Sequence, residues 1–261
     1  MDKIAIISDI HSNIVALKEV LKDIESRNIN KIYCLGDIVL KGSSPCESLD
    51  LIQSNCDLII KGNCDDYAVN LNYEHAIWYK NKLGSERIEY LNNLPMYKDL
   101  YISGSLVRLF HATKNNLNKR TLDTASTEEK LDLFEDENNI VPDIIFYGDI
   151  HKQYLEKIKN KTIINVGSVG NSLEISNVVD DDTEMQEMTQ AHYCIVEGNL
   201  NSKERSSLSI TFVRVPYDIK KELELAVSNE IPDYDQYESE LLKAKYRGKN
   251  KKILEELKNN N

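Results

Sequence analysis

The sequence predicts an α/β domain built on a parallel sheet covered by helices. Two patterns carry this. Short apolar, β-rich runs alternate with helical periodicity through the first half of the chain, an order that implies parallel strands joined by helices. Polar residues capable of holding a metal ion fall just after those apolar runs, where open α/β sheets place their ligand crevices. The 261 residues suit one such domain with a decoration or two.

Taken in order, Lys3 to Ser8 reads as a buried strand. Asn13 to Ser26 reads as a helix, apolar at Val15, Leu17, Val20, Leu21 and Ile24, with Ser12 or Asn13 at its cap. Lys31 to Leu35 is a second strand, Pro45 to Ser54 a second helix and Leu58 to Lys61 a third strand. Residues 66–94 are helical and rich in Tyr and Asn, and are expected as an insertion over or beside the active face. Tyr101 to Phe110 alternates like sheet strands, and Ile144 to Tyr147 follows Pro142 as a buried strand. Leu155 to Val166, His192 to Val196 and Leu208 to Val215 suggest a second sheet made of hairpins. The acidic run at 180–184 reads as a solvated loop. The domain is thus expected over 1–240, with a charged tail over 241–261 whose last residues, 250–261, form an exposed helix or fray.

Composition narrows the class. Hydrophobic content of 41% fits an ordinary globular protein. The first apolar run is too short for a signal segment, and no stretch approaches the roughly 20 apolar residues of a membrane span. The five cysteines form no C-x-x-C pair and read as reduced thiols. A cytoplasmic location is therefore expected, without a membrane partner. A net charge of −11 disfavours nucleic acid as a partner. A small phosphorylated substrate remains compatible, because a bound cation reverses the local field. Oligomeric state is not legible.

The chemistry lies in seven residues. Asp9 and His11 follow the first strand, Asp37 the second, Asn63 the third, His111 the Leu106–Phe110 strand, and Asp149 and His151 the Ile144–Tyr147 strand. Asp9 and His11 are two apart and in extended chain would project to one side, as would Asp149 and His151. Gly36, Gly62 and Gly148 each precede a candidate ligand, where a glycine permits a sharp turn and close backbone approach. Carboxylate, imidazole and amide oxygen together suit Mn²⁺, Fe or Zn²⁺, and two ions would share a carboxylate. Singly, each feature is an ordinary turn, cap or buried histidine; five strand ends delivering ligands together are not.

The segments SDIHSN (8–13), GDIV (36–39), GNCD (62–65), FHATKNN (110–116), GDIH (148–151) and NVGSVGN (165–171) resemble the calcineurin-like metallophosphoesterase superfamily, in particular its small bacterial phosphodiesterase and phosphatase branch. The resemblance implies a four-layer α/β/β/α sandwich with a dinuclear site. Asp9, His11, Asp37 and His151 would hold the first metal; Asp37 would bridge to a second, held also by Asn63, His111 and Asp149. The family's Gly-His-x-His motif is here Gly148-Asp149-Ile150-His151, and an aspartate there favours a harder ion. The cofactor expected is two divalent or trivalent ions, Mn foremost, with Fe, Mg and Zn as alternatives. Cys64 stands where many members carry a histidine, and is expected to be a packing residue.

The implied activity is hydrolysis of a small phosphoester, a phosphodiester, nucleotide or dinucleoside polyphosphate, by metal-activated water. The alternatives are an attenuated metal- or nucleotide-binding regulatory paralogue, motivated by Asp149, and a protein serine/threonine phosphatase. Asn63, Lys114 and Asn115 are candidate substrate contacts. Tyr73, Trp78 and Tyr79 could stack on a nucleobase or serve as core.

Overall fold

Side chains along β1 (Asp2–Ile7) alternate between two cores, as a strand buried on both faces requires. Ile4 and Ile6 enter the layer between two sheets, whereas Ala5 and Ile7 join the layer beneath the helices. The computed structural model describes residues 1–135, 138, 140–173 and 189–244. The acidic run at 180–184 and the segment from 245 onward, including the helix considered for 250–261, lie outside the described residues.

β1 leads into α1 (Ile14–Ser26), capped by the Asn13 side chain, which accepts the Ala16 N–H at 3.0 Å. The chain continues through β2 (Lys31–Cys34), α2 (Pro45–Asn55) and β3 (Leu58–Ile59). Pro45 opens α2 at a position where its missing N–H costs nothing. β1, β2 and β3 pair in parallel. α3 (Asn63–Asn70) and α4 (Glu74–Asn92) occupy the region read as an insertion, with a break at Gly84, whose φ is 74°. Their Tyr67, Ala68, Ala76, Tyr79 and Leu83 belong to the same core as α1.

The second sheet holds the hairpin β4 (Tyr97–Ile102) and β5 (Ser105–Phe110), then β6 (Ile144–Tyr147), and the hairpin β7 (Tyr154–Ile158) and β8 (Lys161–Asn165). Its order is β4-β5-β6-β8-β7, with β5, β6 and β8 parallel. The last two strands, β9 (Ala191–Gly198) and β10 (Ser209–Val215), do not join it. They extend the first sheet to β10-β9-β1-β2-β3, with β9 antiparallel to β1. The expectation of one second sheet holding all three late segments is corrected here. Cys194 and Val196 explain the placement, because they contribute to the inter-sheet core from the first-sheet side, in register with Ile6 and Ile4.

The layers therefore run helices, sheet, sheet, helix. The fourth layer is thin: the short α5 (Thr127–Asp132) with Leu122, Leu133 and Phe134 covers Phe110, Ile145, Tyr147 and Ile163. This is the α/β/β/α layer order that the resemblance implies. No helix among the described residues is long and apolar enough to cross a membrane.

α6 (Ile219–Ser228) and α7 (Tyr234–Lys243) pack together through Leu223, Ala226, Tyr237 and Leu241. The tail boundary expected at 241 thus falls inside a helix. Within this pair, Glu222 is wholly buried and accepts the Ser43 N–H at 3.2 Å and the Tyr237 hydroxyl at 3.1 Å. Burial pushes its carboxyl up to about 7 against these hydrogen bonds. Its folded value exceeds the unfolded one, so its favourable contribution is complete below about pH 4 and is lost as pH rises through about 7. Glu222→Gln is therefore expected to stabilise the chain by about 2 kcal/mol more at pH 8 than at pH 5. Urea midpoints at the two pH values measure this; any constant effect of the amide cancels, and equal shifts at both would refute it.

Candidate active site

Five strand ends converge at one edge of the two sheets. Asp9 and His11 follow β1, Asp37 follows β2, Asn63 opens α3 after β3, His111 follows β5, and Asp149 and His151 follow β6. All seven are buried. The reason Asp9 and His11 share a side differs from the one expected. Neither is extended: φ is 54° at Asp9, 49° at His11, 64° at Asp149 and 60° at His151. Asp37 is also left-handed, at 52°. Tight turns, not strand alternation, aim these side chains, and such backbone concentrates at functional sites.

Neighbouring loops hold the turns. Asp9 and His11 N–H groups donate to the carbonyls of Gly36 and Asp37, each at 2.9 Å. The 165–171 segment clasps the first turn from the other side: the Ser168 hydroxyl donates to the Asp9 carbonyl at 2.8 Å, and Asn13 Nδ2 to the Gly170 carbonyl at 2.9 Å. A methyl group on Gly148 would stand 2.2 Å from Ser8 Oγ, and one on Gly62 2.1 Å from Asp37 Oδ1. These two positions exclude any side chain.

Asp9, His11 and His151 form one cluster. His151 Nε2 lies 3.1 Å from His11 Nε2 and 3.2 Å from Asp9 Oδ1, and His11 Nε2 lies 3.7 Å from both Asp9 Oδ1 and Asp37 Oδ2. Asp9 Oδ1 has no hydrogen-bond donor aligned on it among the described residues. His151 Nδ1 faces the Asn171 carbonyl, which leaves Nε2 turned into the cluster. So many lone pairs in a dry space repel unless a cation or protons lie among them. The donor set fits a divalent ion.

A second cluster adjoins it through Asp37. His111 Nε2 lies 3.3 Å from Asp37 Oδ1 and 3.1 Å from Asn63 Oδ1, while its Nδ1 donates to the Leu35 carbonyl at 2.8 Å. Burial disfavours charge on His111, but the Asp37 and Asp9 carboxylates outweigh it and push the imidazole up to about 10. At Asp9, burial works against ionisation, and His151 and His111 prevail to hold the carboxyl below its ordinary range. The pocket thus demands positive charge. The Asp37 carboxylate also accepts the Cys64 N–H at 2.7 Å. Burial and Asp37 push the Cys64 thiol well up, so it stays neutral, although its sulfur falls within 4.8 Å of ligand atoms of His11 and Asp37.

Asp149 stands apart. Both its oxygens are taken by Arg120, from Nε at 3.0 Å and Nη2 at 2.9 Å. It belongs to none of the three-donor groups among the described residues. Burial would raise its carboxyl, and Arg120 outweighs this to hold it low. Arg120 carries no marker in the sequence: it sits in a polar loop nine residues past His111, not at a strand end. Asp65 likewise carries no such marker. It is buried, and accepts the N–H groups of Ile38 at 2.9 Å, Val39 at 3.2 Å and Gly62 at 2.9 Å.

The outlying candidates lie as follows. Lys114 is buried, with Nζ 4.8 Å from the centroid of the Tyr97 ring, and Asn115 is exposed. Tyr79 is fully buried with its hydroxyl donating to the Gly42 carbonyl at 2.8 Å, Tyr73 is buried, and Trp78 packs on two cores. These aromatics are structural.

Residues 2–184 match the family model described as the calcineurin-like phosphoesterase superfamily domain. The uncharacterized protein MJ0912 of Methanocaldococcus jannaschii is 34% identical over 258 residues, covering 88% of this chain and 94% of that protein. A metallophosphoesterase from Sphaerobacter thermophilus superposes with a TM-score of 0.68 at 22% identity, over 93% of this chain and 98% of that one. The hypothetical protein PH1004 of Pyrococcus horikoshii OT3 superposes with a TM-score of 0.72 at 19% identity, over 96% of this chain and all of that one (100%). These two likenesses establish a shared fold. With buried Asp, His and Asn side chains gathered at the strand ends of that fold, the chain belongs to the calcineurin-like phosphoesterase superfamily and is a phosphoester hydrolase.

Proposed function

We propose that the chain hydrolyses a small phosphoester, foremost a phosphodiester or dinucleoside polyphosphate, at a metal centre held by Asp9, His11, Asp37 and His151. The convergence of these four buried side chains without an aligned donor on Asp9 Oδ1 supports the reading. A bound divalent ion supplies Lewis acidity and a water acidified toward neutrality. Mn²⁺ is the first choice, since carboxylate and imidazole donors without a thiolate suit it. Asp37, Asn63 and His111 are the donors that would hold a second ion.

The chain's own groups fix the rest. Asn171 and Leu35 carbonyls orient His151 and His111, so each presents Nε2 to the centre. Asn63 sets its amide oxygen beside His111, where its amide edge can meet a phosphate oxygen. The neutral Cys64 thiol is a poor acid, so protonation of the leaving group falls to solvent, and substrates with good leaving groups react fastest. The acidic surface, with a net charge of −11, suits a small substrate better than nucleic acid. The five free cysteines suit a reducing cytoplasm.

The test is a panel of aryl phosphates, phosphodiesters, nucleotides and dinucleoside polyphosphates offered to Mn²⁺-loaded protein. Turnover of bis-p-nitrophenyl phosphate above that of p-nitrophenyl phosphate is expected. Bound Mn²⁺ with no turnover of any member would sink the reading.

A further inference from the structure

A carboxylate stands on the inward face of α7, where helix packing favours an apolar residue. Tyr237, Glu240 and Leu241 share one helix face, and all three are wholly buried. Glu240 Oε2 accepts Asn171 Nδ2 at 2.6 Å. The Asn171 carbonyl in turn takes His151 Nδ1. On the far side of that imidazole, Nε2 lies 3.2 Å from Asp9 Oδ1 and 3.1 Å from His11 Nε2. A continuous line of contacts thus runs from α7 to the first cluster.

The backbone around Asn171 is fixed on both sides. Its N–H donates to Ser168 Oγ at 2.9 Å, and Ser168 donates to the Asp9 carbonyl at 2.8 Å. The next residue, Ser172, donates its hydroxyl to the Gln190 carbonyl. Asn171 Oδ1 has no partner among the described residues, so Glu240 is the contact that fixes the amide. The docking of α7 has other supports. The Leu241 carbonyl accepts the Thr189 hydroxyl at 3.2 Å, the Tyr237 hydroxyl donates to Glu222 at 3.1 Å, and both side chains join the core shared with α6. A buried carboxylate is costly, and an apolar residue of its size is often neutral or stabilising for a fold. Helix packing therefore does not account for Glu240, whereas orientation of the Asn171 carbonyl does.

We propose that Glu240 is a positioning residue of the metal centre: through Asn171 it holds the carbonyl that fixes His151 Nδ1, and so aims His151 Nε2 at Asp9 and His11. This rests on the metal-centre reading proposed above. A metal-binding histidine donates its other N–H to an acceptor that sets its tautomer and ring orientation. Glu240 extends that support by one residue, from a helix remote in sequence from every strand end of the site.

Mn²⁺ is the probe. Its affinity for the metal-stripped full chain is measured by calorimetry, and the His151 Nδ1–H signal by ¹⁵N-edited NMR before Mn²⁺ is added. That signal is assigned by its absence in His151→Gln. Glu240→Leu and Asn171→Ala each cut the tie and leave the Asn171 carbonyl in the chain. Each is expected to weaken Mn²⁺ binding by about 10- to 100-fold and to displace the His151 signal. Glu240→Gln keeps an oxygen for Asn171 Nδ2, and is expected to hold the signal in place and lose about threefold at most. The double variant Glu240→Leu/Asn171→Ala is expected to lose no more than the worse single one, because both cut the same tie. If Glu240→Leu does not fold, Asn171→Ala carries the test. Mn²⁺ affinity within twofold of wild type in the cut variants overturns the proposal and leaves the enzyme reading intact. A lowered melting temperature with the His151 signal unmoved also overturns it, by making Glu240 a support of the fold alone. Wild-type protein that binds no Mn²⁺ takes down both readings.

Discussion

Asp37→Asn is expected to lower kcat/KM for a phosphodiester by more than about 100-fold, the loss that changes outside the ligand set alone produce. Asp37 is the residue shared by both clusters, 3.7 Å from His11 Nε2 on one oxygen and 3.3 Å from His111 Nε2 on the other. An amide keeps one oxygen to accept the Cys64 N–H, so the turn survives. What it loses is the charge that would draw a cation, and its NH₂ would face an imidazole nitrogen. Mn²⁺ content should fall in parallel, while thermal stability is held or raised, because a carboxylate beside the buried Asp65 is relieved. Activity within fivefold of wild type at unchanged Mn²⁺ content would refute the assignment.

Asp65→Ala is expected to destabilise the chain by about 3–6 kcal/mol, one to three for each of three buried N–H groups left unpaired, less the cost of holding a buried charge. Three such groups depend on this carboxylate, two in the loop that carries Asp37 and one at Gly62. A neighbouring effect opposes the loss. Burial, then Asp37, pushes the Asp65 carboxyl up to about 7, so its charge is held at a cost. Desolvated N–H groups outweigh that cost because no water reaches Ile38 and Val39, both wholly buried. Asp65→Asn retains two of the three acceptances and opposes its NH₂ to the Gly62 N–H, so an intermediate loss is expected. Urea denaturation with far-UV circular dichroism measures both, and a loss under about 1 kcal/mol for Asp65→Ala would show that the loop finds other partners.

Much of the molecule was legible from local pattern. The strand–helix–strand order of the first half is readable because each buried strand is a short apolar run ended by polar or glycine residues. The strand-end residues are readable because each is a polar side chain placed just after such a run. Sheet membership was not. His192 to Val196 shows the alternation of a strand, but alternation reports faces and not partners, and its partner β1 lies at the far end of the described chain, from Asp2↔Gly198 to Ile6↔Cys194. Asp65 and Arg120 are not legible in the sequence because each acts through a fold-made contact: one with backbone of a distant loop, the other with a carboxylate 29 residues on. Charged residues in polar loops look like solvated surface until the fold buries their partners.

The left-handed turns at Asp9, His11, Asp37, Asp149 and His151 bear on how such a site can decay. At these positions a side chain is chosen both for its donor atom and for its tolerance of positive φ, a conformation costing most residues about 1 kcal/mol or more. A β-branched replacement would remove a donor and strain the turn together, so activity and folding would fail as one. Asparagine and glycine tolerate the turn and remove only the chemistry. A descendant that keeps this architecture while abandoning catalysis would therefore be expected to carry those two residues at the strand ends.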